Sequence, residues 1–74
     1  MNFYNIMEAG ATIVIEDEKG YYDPAKFWIK NGKLFTWAPE FGTLERNNKD
    51  FPVETLESHF NHMLDLGLKL TITR

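Results

Sequence analysis

The stretch Lys26-Phe27-Trp28-Ile29-Lys30-Asn31-Gly32-Lys33-Leu34-Phe35-Thr36-Trp37 decides how this chain folds. Asn-Gly between two runs of aromatic and aliphatic residues is the preferred pair for a two-residue type I′ turn, which needs a positive φ at both central positions. Counting outward from that turn pairs Lys30 with Lys33, Ile29 with Leu34, Trp28 with Phe35, Phe27 with Thr36, and Lys26 with Trp37. Side chains alternate along a strand, so the ribbon has two faces. One carries Phe27, Ile29, Leu34 and Thr36. The other carries Lys26, Trp28, Lys30, Lys33, Phe35 and Trp37.

Upstream of the hairpin, residues 11–17 (ATIVIED) are β-branched at four successive positions and read as a strand ending in the turn-prone run Asp17-Glu18-Lys19-Gly20. Tyr21 and Tyr22 can begin a return strand, which Asp23-Pro24 interrupts because proline lacks a ladder donor. Residues 2–9 suit a short helix, with Asn2 as cap, Gly10 as stop and Phe3, Ile6 and Met7 on one side; a short strand fits almost as well.

Downstream, residues 38–49 read as loop, with a brief strand around Thr43-Leu44. A helix follows at about residues 51–66. Asp50 is placed to cap it, Pro52 suits its first turn, and Val53, Leu56, Phe60, Met63, Leu64 and Gly67 fall on one stripe. Gly67 is the stop, and Leu68, Leu70 and Ile72 alternate in a last strand. The expected architecture is α+β: a small antiparallel or mixed sheet of about four strands, with that amphipathic helix packed on one face, in a single domain spanning residues 1–74.

The helix stripe shares a core with whichever hairpin face turns inward. Two assignments stand. If the tryptophan face is core, Trp28, Phe35 and Trp37 lie under the helix while the lysines reach outward. If it is not, those rings are exposed beside positive charge or covered by a second subunit.

Composition narrows the function classes. The chain has 74 residues, 11 acidic and 8 basic side chains, a net charge of −3 and no cysteine, which excludes a disulfide scaffold and thiolate metal ligation. In so small a core the aromatics, 15% of residues, supply much of the buried area. A net negative charge argues against duplex nucleic acid as partner. No apolar run approaches a membrane span, and the first ten residues lack the pattern of a secretory signal, so a cytoplasmic location is expected. The charge is uneven: residues 1–23 hold five acids and one base, whereas residues 24–33 hold three lysines and no acid.

Chemistry finds little support. Ser58 is the only serine and adjoins His59, and neighbours in sequence do not face each other on a helix. The glycines at 10, 20, 32, 42 and 67 are spaced as turn and cap residues, with no phosphate loop among them. His59 and His62 are three apart and share a helix surface, but a metal or acid–base site there lacks defined further ligands, and the i, i+3 spacing departs from the helical zinc pattern. No catalytic residue, metal or cofactor is called for.

The expected function is a non-enzymatic binding module acting through protein–protein contact, an accessory or inhibitory protein of the kind carried by phages and other mobile elements. Its expected anchors are Tyr21, Tyr22, Trp28, Phe35 and Trp37. A homodimer can use the same surface. Two alternatives stand beside it: single-stranded nucleic acid bound by these aromatics with Lys26, Lys30 and Lys33, and the His59/His62 site.

Overall fold

The computed structural model describes residues 2–47, 49 and 51–74. Its elements run α1 (Phe3–Glu8), β1 (Thr12–Glu16), β2 (Ala25–Lys30), β3 (Lys33–Ala38), β4 (Gly42–Arg46), α2 (Val53–Asp65) and β5 (Lys69–Thr73). The strands form one antiparallel sheet of five, ordered β4-β3-β2-β1-β5. The fold is α+β, with one strand more than the sequence predicts.

The central hairpin forms in the register the turn dictates. Asn31 and Gly32 have φ of 54° and 75°, and Trp28 stands opposite Phe35 and Lys26 opposite Trp37. Glycine at the second turn position avoids the steric cost of a Cβ at positive φ.

Of the two hairpin faces, the one bearing Phe27, Ile29, Leu34 and Thr36 turns toward the helices. Its central rung crosses the whole sheet as Leu44, Thr36, Phe27, Ile13 and Ile72. Phe60 of α2 seats between Phe3 of α1 and Phe27, with ring centroids 4.8 Å and 4.9 Å away. Phe3, Met7, Ile13, Ile15, Leu56 and Phe60 are all buried. The opposite choice would put Lys26, Lys30 and Lys33 on the buried face, at a desolvation cost without paired acids. Thr36, the one polar residue on the inner hairpin face, is satisfied: its Oγ1 accepts from Arg46 Nε at 3.1 Å.

The first segment resolves as helix over Phe3–Glu8, with Asn2 and Ala9 as its caps. Asn2 Oδ1 accepts from the Asn5 N–H at 3.1 Å, and Glu57 reaches across from α2 to accept the Tyr4 N–H at 3.1 Å. A six-residue helix is too short to be stable alone, so this second, tertiary cap joins α1 to α2. Both helices end alike. Gly10 and Gly67 donate to the carbonyls of Met7 and Leu64, and the following Ala11 and Leu68, both buried, donate to Ile6 and Met63. These are Schellman closures, and each delivers the chain into one of the paired strands β1 and β5.

Other expectations need correction. α2 begins at Val53 with Pro52 in the N-cap position and no side-chain cap bond; Asp50 lies outside the described residues. Val53 and Leu64 are 39% and 43% exposed, so the stripe that packs narrows to Leu56, Phe60 and Met63. Tyr21 and Tyr22 form no strand. The return strand starts at Ala25, after the proline, and β4 is a full five-residue edge strand rather than a brief one.

Replacing Phe60 by Ala removes the ring that joins both helices to the sheet. The expected loss is about 3–5 kcal/mol, a large part of the roughly 4–11 kcal/mol a chain this size commands. Leu64→Ala, on the exposed side of α2, should cost less than about 1 kcal/mol. Urea denaturation followed by circular dichroism checks both, and equal losses would contradict the packing described.

Candidate interaction face

With both helices on one side, the other side of the sheet is left open. It carries Lys26, Trp28, Lys30, Lys33, Phe35 and Trp37 from the hairpin. One rung reads Thr43, Trp37, Lys26, Val14 and Thr71; the next includes Glu45, Phe35 and Trp28. Thr12 and Thr73 line a shallow hollow with Trp28, Val14 and Lys26. Trp28, Phe35 and Trp37 are all partly exposed.

The rings are held by their neighbours. Trp28 and Phe35, cross-strand partners, lie nearly parallel, 13° between planes and 5.9 Å between centroids. Lys26 Nζ sits 4.9 Å from the Trp37 ring centroid, a cation–π contact between another cross-strand pair. Lys33 Nζ lies 3.3 Å from Glu45 Oε1, both exposed. Such a surface pair contributes little stability, but it neutralises one of the lysines locally. Lys26, Lys30, Lys33 and Lys69 against Glu16 and Glu45 give the face a balance of +2, leaving −5 on the rest of a chain whose total is −3.

Tyr21 and Tyr22 sit apart from these rings. They belong to the loop between β1 and β2, which Asp17 organises. Its carboxylate accepts the N–H groups of Lys19 at 3.0 Å, Tyr21 at 2.8 Å and Tyr22 at 3.0 Å. Desolvation raises the Asp17 pKa, but those three bonds and the Lys19 charge outweigh it and hold the carboxyl below its ordinary value. Tyr21 is 81% exposed. Tyr22 lines a hollow on the helix side with Asp23, Ile15, Met63 and both histidines. The predicted anchor set therefore divides between the open face, which has Trp28, Phe35 and Trp37, and the β1–β2 loop.

His59 is half-buried on α2, edge-on to Phe27 at 6.0 Å and to Phe51 at 5.8 Å, while His62 is exposed. Among the described residues no group of three or more His, Cys, Asp or Glu side chains could hold a metal ion. Thr12 and Val14 are legible in the sequence as strand residues, but neither they nor Thr71 and Thr73 carry a signal of their own that assigns them to this face. The alternation of β5, once Leu70 and Ile72 are turned inward, is the signal that puts Thr71 and Thr73 outward.

No family model, no curated protein and no solved structure matches the chain. No helix among the described residues is long and apolar enough to cross a membrane.

Burial first, and the neighbouring His62 second, lower the His59 pKa from 6.5. The unfolded chain therefore takes up this proton before the folded chain does. Stability associated with His59 is whole above pH 6.5, falls as pH drops through that value, and stops falling below the folded pKa. His59→Phe keeps a ring against Phe27 and Phe51 and removes the titration. Its melting temperature should decline less than that of the wild type between about pH 7.5 and 5, measured by calorimetry in matched buffers. Parallel declines would contradict the assignment.

Proposed function

We propose that this chain is a non-enzymatic module that binds another protein through the open face of its sheet, with Trp28, Phe35 and Trp37 as anchors. The observation that carries this reading is a run of three large aromatic rings, partly exposed, on the side of the sheet that neither helix covers. Tryptophan and tyrosine dominate the energetics of protein interfaces because they bury much area with few rotors. Cross-strand stacking and the Lys26 contact hold these rings before any partner arrives, which lowers the ordering cost on binding. The lysines favour a partner surface that is acidic or neutral around an apolar centre.

The same aromatics and lysines support single-stranded nucleic acid as a second reading. It is the weaker one, because Lys33 is engaged by Glu45 and the chain as a whole is anionic. A role as an accessory or inhibitory protein of a mobile element, acting in the cytoplasm, agrees with the small size and acidity. A second copy of the chain can occupy the face in place of a different protein.

The test uses Trp28→Ala and Trp37→Ala. Their melting should stay within a few degrees of wild type, because neither ring packs under a helix. A protein retained by the immobilised wild-type chain from its native cells should bind each variant at least about tenfold more weakly. Partner binding unchanged in both variants defeats the reading. Binding of a labelled oligonucleotide at low salt, falling steeply as salt rises, would favour the second reading instead, and concentration-dependent sedimentation abolished by the same variants would identify the partner as a second copy.

A further inference from the structure

On the helix side of the sheet, beyond the part that α2 covers, a cleft of about 290 Å³ lies along β3 and β4. Phe27, Leu44, Phe51 and His59 give it apolar and aromatic walls, and Phe41, which also lines it, is 68% exposed. The Phe27–His59–Phe51 ring contacts form one side. Arg46 forms another. It is half-buried, and its Nε–H donates to the Thr36 hydroxyl, which fixes the guanidinium plane against the cleft.

That bond uses one of five guanidinium N–H donors. Among the described residues the one ion pair is Lys33–Glu45, so no carboxylate there balances Arg46. A cation fixed beside apolar surface, partly shielded from water and with no counter-charge among the described residues, is poised for an anion with two acceptor oxygens.

We propose that this cleft binds a polypeptide segment in which a bulky apolar side chain adjoins a carboxylate. The side chain fills the aromatic pocket, and the carboxylate accepts from the Nη groups of Arg46. The dimensions favour a segment of a longer chain over a free small molecule. Sites that enclose a whole ligand run from about 300 to 1,000 Å³, and this cleft, at about 290 Å³, falls just below that range and is open to solvent. It holds one side chain of something that continues outside. The proposal is separate from the open-face reading: Trp37 borders the cleft as well as the open face, but Phe27, Leu44, Arg46, Phe51 and His59 belong to the cleft and Trp28 and Phe35 do not, so either reading can fail alone.

The test is a titration of the isotope-labelled full chain with acetyl-Phe-Glu-amide, acetyl-Phe-Gln-amide and acetyl-Gly-Glu-amide, followed by backbone amide NMR shifts. The first should move the amides of Thr36, Leu44, Arg46 and Phe51 at millimolar concentration, and each of the other two should bind at least about fivefold more weakly. Arg46→Gln should abolish the preference for Glu over Gln while Arg46→Lys keeps part of it. Because the Glu/Gln comparison is made on the wild-type chain, it holds even if a variant misfolds. Equal binding of the Glu and Gln probes, no shift at tens of millimolar, or shifts confined to Trp28 and Phe35 would overturn the proposal. Tighter binding of free acetyl-phenylalanine than of acetyl-Phe-Glu-amide would overturn the internal segment in favour of a chain end or a small carboxylate.

Discussion

The ring of Phe60, wedged between Phe3 and Phe27, is the contact on which the arrangement depends. It ties α2 to α1 and both to the middle strand of the sheet. In doing so it selects the inner face of the hairpin. Once Phe27 is inward, alternation puts Phe35, Trp28 and Trp37 outward, together with every lysine of the ribbon. A small chain cannot bury both faces with two helices on one side. The aromatic outer face is thus a consequence of how the core closes.

That closure is reinforced at the helix ends. α1 is too short to hold itself, and it is kept by Asn2 at one N–H, by Glu57 of α2 at another, and by Phe3 and Met7 buried beneath it. The glycine-ended closures of both helices turn the chain directly into β1 and β5, which pair with each other. The distribution of charge follows the same division. The open face is locally positive while the chain as a whole is acidic, so electrostatics distinguishes the two sides of the sheet as partner surfaces.

Much of this was legible in the residues. Asn31-Gly32 specifies a turn with one register, and all five hairpin pairs follow from it. The Leu56, Phe60 and Met63 spacing marks α2, and Gly10 and Gly67 mark its end and that of α1. Other features depend on tertiary context. β4 has a single aliphatic residue, Leu44, so it shows no alternation, and its existence rests on pairing with β3. Tyr21 and Tyr22 have strand propensity, yet Asp17 takes their N–H groups and commits them to a loop. The hairpin alone leaves the inner face open, because both faces carry large apolar side chains and the lysines of the tryptophan face can reach outward from a buried ribbon. The choice depends on where the helices land. Arg46 gave no sequence signal, and its significance comes only from the cleft beside it.

Both tryptophans of the chain lie on the open face, so tryptophan fluorescence, excited apart from the tyrosines, reports on that face. The most direct measurement is iodide quenching of the native chain at micromolar concentration, compared with the same chain in urea. The account predicts that iodide reaches both indoles in the folded state and that unfolding shifts the emission only slightly to the red. Emission that is strongly blue-shifted and beyond the reach of iodide until the chain unfolds would place the tryptophans in the core and contradict it.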